Sequence, residues 1–128
     1  IYAENKKGAL QAMTNALYEA GINIWGSVTN DGAEYGINRM VVSDPDKAKE
    51  VLTERGYLCR FVDVLAVEIE DKPGALNTLL TALLDSNVNV DYTYLSFNRD
   101  SSTPVMILHT ADPEEVEICL KAKGFKMV

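Results

Sequence analysis

Two short segments hold residues whose types and spacing suit ligand chemistry: Asn5-Lys6-Lys7-Gly8-Ala9-Leu10 and Asp71-Lys72-Pro73-Gly74-Ala75-Leu76. Each follows an apolar stretch and precedes a helix-like pattern, so each reads as the loop from a strand into a helix. The first turn of a helix leaves backbone N–H groups without intrahelical acceptors, and the helix dipole adds positive potential there. A carboxylate suits that place. Gly8 and Gly74 carry no Cβ, so a ligand can come close to the main chain. Asn5 and Asp71, just ahead of the turn, offer side-chain oxygens that accept from an ammonium group. A carboxylate at one end and an ammonium at the other form the head of a free amino acid. A tight strand–helix turn with no ligand accounts for the same residues, and on these residues alone both readings stand.

Other chemistry has little to draw on. The one histidine, His109, follows Met106-Ile107-Leu108 late in an expected strand, where histidine is more often an ordinary strand residue than a catalyst. Cys59 and Cys119 lie far apart in apolar-rich segments without C-x-x-C spacing, which reads as buried free thiols in a reducing cytosol. Neither has a histidine beside it, and no metal-ligand spacing or glycine-rich phosphate loop occurs. Asp46, Glu50 and Glu54 share one side of an expected helix and should face water. No catalytic residue, metal or cofactor is expected, and the chain does not read as an enzyme.

The composition sets the frame for these elements. The chain has 128 residues, 47% hydrophobic and 24% charged, the mix of a globular protein able to build a core. No apolar run nears the ~20 residues of a membrane helix. No basic-then-apolar leader is visible, although Ile1 is not a start methionine. The net charge is −7, with seven basic and eight acidic residues in 1–62 against five and eleven in 63–128. Such a surface repels phosphate backbones and anionic lipid, and Lys6-Lys7 is the only adjacent basic pair. Nucleic acid and membrane are therefore not expected as partners, and a cytoplasmic location is.

The chain repeats itself. Residues 4–24 lie over 70–90 at an offset of 66, with eight identities: Glu4/Glu70, Lys6/Lys72, Gly8/Gly74, Ala9/Ala75, Leu10/Leu76, Ala16/Ala82, Leu17/Leu83 and Asn23/Asn89. The match continues as Met40/Ile107 at offset 67, then Asp44-Pro45/Asp112-Pro113 and Gly56-Tyr57/Gly124-Phe125 at offset 68. Two domains follow, 1–62 and 63–128, the first strand of the earlier one cut short at Ile1.

Each copy reads as β-α-β-β-α-β. Residues 64–69 form an apolar-rich strand, and Leu76, Leu79, Leu80, Leu83 and Leu84 then mark an amphipathic helix. Leu10, Met13, Ala16, Leu17 and Ala20 mark its counterpart, with Gly21 and Asn87 as left-handed helix ends. Strands are expected at 22–29 and 88–97, with return strands at 35–42 and 103–110. Turns at Asn30-Asp31-Gly32 and residues 98–102 join them. Val88, Val90, Tyr92 and Tyr94 should share a face, with Leu95 and Phe97 opposite. Trp25 should point away from Ile22 and Ile24, which face the helices. Asp44-Pro45 and Asp112-Pro113 open the second helices, and 57–62 and 125–128 close each copy as strands. The fold class is α+β: two tandem ferredoxin-like units with antiparallel sheets and helices on one face.

The D/N-K-x-G-A-L loop in both copies, with Asn23-Ile24 and Asn89-Val90 opening the next strand, resembles the ACT domain family. The resemblance covers essentially the whole chain and implies regulatory binding of a free amino acid without catalysis. It implies that two ACT units associate side by side, with ligand between the first loop and helix of one and strand residues of its neighbour. The site residues implied are Asn5, Lys7, Gly8, Ala9, Leu10, Asp71, Pro73, Gly74, Ala75 and Leu76 from the loops. From the strands they are Asn23, Ile24, Asn89 and Val90. Lys7 departs from the family's proline before the glycine. A homodimer and a regulated protein partner are expected. The alternative is an ACT-fold interaction module with no ligand.

Overall fold

In a computed structural model, which describes residues 1–30 and 35–128, the chain forms two compact units, Ile1–Phe61 and Val62–Val128. The first contains strand β1 (Tyr2–Glu4), helix α1 (Ala9–Glu19), strands β2 (Ile24–Asn30) and β3 (Tyr35–Val42) and helix α2 (Pro45–Glu54). The second contains β4 (Leu65–Glu68), α3 (Ala75–Asp85), β5 (Tyr92–Phe97), β6 (Pro104–His109), α4 (Pro113–Ala122) and β7 (Lys126–Met127).

Local chemistry sets the helix limits. Asp44 accepts a hydrogen bond from the Lys47 N–H at 3.2 Å, and Pro45 fills the first helical position of α2. Asp112 and Pro113 open α4 in the same order, but the Asp112 side chain makes no capping bond. Gly21 (φ 72°) and Asn87 (φ 58°) take the left-handed conformation after α1 and α3, as expected. The Asp31-Gly32 part of the first hairpin lies outside the described residues. In the second hairpin the Asn98 carbonyl accepts from the Ser102 N–H at 2.9 Å.

All sheet pairings are antiparallel, in the order β1-β3-β2 in the first unit and β5-β6-β4-β7 in the second. The helices cover one face of each sheet. Met13, Ala16 and Leu17 of α1 meet Ala48 and Leu52 of α2 above Val42. Leu79 and Leu83 of α3 meet Val116 and Leu120 of α4 above Leu65, Val67, Met106 and Leu108. Only part of the α3 stripe is core: Leu76, Leu80 and Leu84 remain exposed.

Three expectations change. The segment 57–62 is not a strand. It touches the sheet through a single bridge, Tyr2 to Leu58, because β1 is only three residues long and Tyr2 alone meets the returning chain. The repeat offset is 68, not 67, already at Met40. Met40 pairs with Ser27 and Leu108 with Thr93, so Met40 corresponds to Leu108. Both extra residues therefore fall in the second hairpin. Finally, Tyr92 and Tyr94 do not share a face with Val88 and Val90. Val88 and Val90 pack on the core under the helices, whereas Tyr94 pairs with Ile107, whose neighbours Met106 and Leu108 are the core residues. One extra residue reverses the alternation of a strand. The first copy shows it as a register shift between Ile24 and Gly26, with Trp25 at the irregularity. The chain bends at the matching Asp91.

With the register corrected, the buried Thr110 corresponds to the core residue Val42, and its hydroxyl has no hydrogen-bond partner among the described residues. An unsatisfied buried hydroxyl costs about 1–3 kcal/mol. Thr110→Val should raise the unfolding free energy by about 1 kcal/mol in urea titrations; a loss would mean that the hydroxyl is satisfied.

Candidate functional site

The two loops share one backbone geometry. Gly8 (φ 84°, ψ −6°) and Gly74 (φ 86°, ψ −8°) both stand at the N-cap in the left-handed region. The Ala9 N–H donates to the Lys6 carbonyl at 3.1 Å and the Ala75 N–H to the Lys72 carbonyl at 3.2 Å, which closes each turn. The Gly8 and Gly74 carbonyls then accept the first helical bonds, from Ala12 at 3.0 Å and Thr78 at 2.9 Å. The N-cap glycines have no side chain with which to cap either helix. The N–H groups of Leu10 and Gln11, and of Leu76 and Asn77, are left without intrahelical acceptors. A Cβ built on either glycine meets no atom within 4 Å, so the space above the turn is open. Positive φ is thus the first reason for glycine here, ahead of crowding by a ligand.

The flanking lysines are directed back to the strand ends. Lys6 Nζ lies 2.8 Å from Glu4 Oε2 and Lys72 Nζ 2.6 Å from Glu70 Oε2. The hydrogen bond from Lys6 holds the Glu4 carboxyl below the usual carboxylate range, and Glu4 in turn raises the Lys6 ammonium. Asn5, Lys7, Asp71 and Pro73 are exposed, as are Leu10 and Leu76; Ala9 and Ala75 are half-buried.

The strand openings lie elsewhere. The Asn23 N–H donates to Ser43 Oγ at 2.9 Å, and its carbonyl accepts from the Ser43 N–H at 2.9 Å. Ile24 and Val90 rest on the cores of their units. Asn89 Nδ2 donates to Asp91 Oδ1 at 3.1 Å, and Asp91 Oδ2 lies 2.8 Å from His109 Nδ1. The His109 ring stacks on Tyr92 at 4.9 Å. His109 is thus a strand residue in an ordered polar cluster that orients Asn89. Within one unit the loop and the strand opening stand at opposite ends of the first helix, about 16 Å apart for eleven residues. Neither unit brings its own two sets of site residues together.

The first unit also carries a groove of about 380 Å³ lined by Gln11, Thr14, Asn15, Tyr18, Ile22, Asn23 and Ile24. It holds two expected site residues, Asn23 and Ile24, and five others, of which four lie on α1. Their signal was present: 11, 14, 15 and 18 have the spacing of one helix flank. The thiols are half-buried and unpaired with each other, rather than fully buried. Burial pushes the Cys59 thiol up, against smaller opposing effects of the N-terminus and Lys49. Cys119 Sγ lies 3.0 Å from Ser86 Oγ. Among the described residues no group of His, Cys, Asp and Glu could hold a metal, and no helix is long and apolar enough to cross a membrane.

Comparison with known proteins agrees with this architecture. The family model for an ACT domain pair matches residues 1–127, and the chain belongs to the ACT domain family. The crystal structure of protein BT0572 from Bacteroides thetaiotaomicron is similar at 29% identity and a TM-score of 0.91, over 100% of this chain and 88% of that one. The crystal structure of aspartokinase alpha and beta subunits shares the fold at 16% identity and a TM-score of 0.60, over 92% and 84% of the two chains. No curated protein matches the chain. ACT domains are regulatory, non-catalytic modules associated with small-molecule sensing, and this chain is a pair of them.

If positive φ is what requires glycine, Gly8→Ala and Gly74→Ala should each lower stability by about 1–2 kcal/mol in urea titrations, and Gly74→Asn by less. A neutral alanine would refute that assignment. Cys59, held as thiol by burial, should react with iodoacetamide at mildly alkaline pH more slowly than free cysteine; an equal rate would show an exposed thiol.

Proposed function

We propose that this ACT pair is a sensor that binds a free amino acid, with the ligand carboxylate on the open amides at the start of α1 or α3. The observation that supports the reading is the same uncapped, glycine-led helix start in both copies, at φ 84° and 86°. Amides pointing outward beside a positive dipole end favour an anion. Asn5 or Asp71 then receives the ammonium. Because each loop stands a helix length from its own unit's strand opening, the strand residues that complete a site come from a unit other than the one supplying the loop. These are Asn23 and Ile24, or Asn89 and Val90. The working form is a homodimer that passes the bound state to a regulated protein partner.

The two sites are unequal. Lys7 adds a positive charge where the second loop has the rigid Pro73. The second copy's Asp91 and His109 correspond to Trp25 and Val41 in the first. One site therefore offers a carboxylate and an imidazole where the other offers apolar surface.

Calorimetry and thermal shift against the common amino acids test this. A ligand at a hundred times its dissociation constant should stabilise the protein by about 2.7 kcal/mol. Gly74→Val should abolish heat from the second loop while far-UV circular dichroism stays helical. A folded protein that responds to no amino acid would be the ligand-free interaction module instead.

A further inference from the structure

The strand opening of the second unit is held by a run of side chains that the first unit lacks. The Asp91 N–H donates to the His109 carbonyl at 2.9 Å, which ties the start of β5 to the end of β6. The side chains meet as well. Asp91 Oδ2 lies 2.8 Å from His109 Nδ1, while Asp91 Oδ1 accepts from Asn89 Nδ2 at 3.1 Å. The imidazole stacks on the Tyr92 ring at 4.9 Å with the planes 3° apart. The His109 and Asp91 side chains are 29% and 44% exposed, so the ring stays open to exchange protons with solvent. The first unit has Trp25 and Val41 at these two places, and neither side chain titrates.

An ionised carboxylate only accepts hydrogen bonds, and that fixes the two groups beside it. Asn89 turns its NH2 to Asp91 and its Oδ1 away. His109 keeps a proton on Nδ1 in either charge state, so the atom that gains or loses a proton is Nε2. The cluster therefore holds its geometry when the histidine titrates, and only its charge changes. The pair is neutral with an imidazolium and carries one negative charge with a neutral imidazole. The titratable groups that face the ring are the Asp91 carboxylate and the Tyr92 phenol, both on the β5 side. On the other side Leu65 of β4 pairs with Leu108, and residues 64–67 carry no charge. Asp63 before them and Asp112 after β6 are the next charged residues along the chain. Carboxylic acids and phenols ordinarily titrate outside the histidine range.

We propose that Asp91 and His109 are positioning residues of the site that Asn89 completes, and that the charge on His109 sets how strongly that site holds an ammonium group. The proposal rests on the amino-acid reading above. An ammonium has three N–H donors, so it bonds Asn5 or Asp71 of a loop and Asn89 Oδ1 together. Held at Asn89, it lies on the order of 7 Å from the Asp91 carboxylate, close enough for attraction at a protein surface. A neutral imidazole leaves that attraction in place. Protonation at Nε2 offsets it. Affinity therefore falls as the pH drops through the histidine range, and by reciprocity binding of the amino acid releases protons from His109. The site that Asn23 completes has no such pair and lacks this dependence.

Two measurements test the pair. In the protein without ligand, the side-chain amide resonances of Asn89 should move with pH at the same midpoint as the His109 ring, and Asp91→Ala should remove that movement. Calorimetry and thermal shift then use the common amino acids other than histidine as probes, at about pH 7.5 and about pH 5.5. For those that bind, the dissociation constant should rise about three- to tenfold at the lower pH. His109→Gln should flatten that profile. Asp91→Ala should flatten it and weaken binding about tenfold; His109→Gln decides alone if Asp91→Ala does not fold. Asp112→Asn, near in the chain but outside the cluster, should keep the wild-type profile. An Asn89 amide that ignores His109, a dissociation constant equal at both pH values, or a profile that survives His109→Gln overturns the positioning pair and leaves the amino-acid reading standing. A folded protein in which Asn89 follows His109 but no amino acid binds at either pH overturns that reading and the positioning role with it.

Discussion

The left-handed glycine at the start of each first helix is the constraint on which the rest depends. Gly8 and Gly74 turn the chain from strand to helix within four and six residues, at a backbone conformation that side chains resist. That turn lays α1 and α3 over their sheets in the rotation that buries Met13 and Leu17, or Leu79 and Leu83. It also leaves the first helical amides uncapped by the glycine that precedes them. Packing and the candidate site thus come from one local event, performed twice.

The second determinant is the irregularity where the helix returns to the sheet. A single extra residue at Trp25 lets Ile24 close the core while the strand beyond it reverses its faces. The same reversal at Asp91 takes Tyr92 and His109 to the face away from the helices, where they stack. The Asp91 carboxylate joins the Asn89 amide to the His109 imidazole. The first copy has no equivalent cluster, because Trp25 and Val41 hold those positions.

One backbone has therefore been given two surfaces. Both copies keep the loop geometry and the buried leucines, which the fold requires. They part company at Thr14/Leu80, Tyr18/Leu84, Thr29/Leu95 and Asn38/Met106, of which the first three are on the surface, where the fold tolerates change. The copies differ as well at Trp25/Asp91 and Val41/His109, and within the core at Val42/Thr110, so one backbone accommodates divergence both on the surface and beneath it.

The amino-acid sequence by itself determined what local chemistry dictates. The repeat, the helix limits at Asp44-Pro45 and Gly21, and the glycine-led loops depend on neighbours in the chain, and all could be read from residue order. Only the tertiary structure decided the register of Met40 against Ser27, the loss of the strand after Gly56, and which α3 leucines remain outside the core. It alone separated each loop from its own strand opening and joined Asn89 to His109. Those outcomes depend on cross-strand pairing between residues distant in sequence. One inserted residue there reverses every side chain that follows, while leaving the apolar pattern along the chain unchanged.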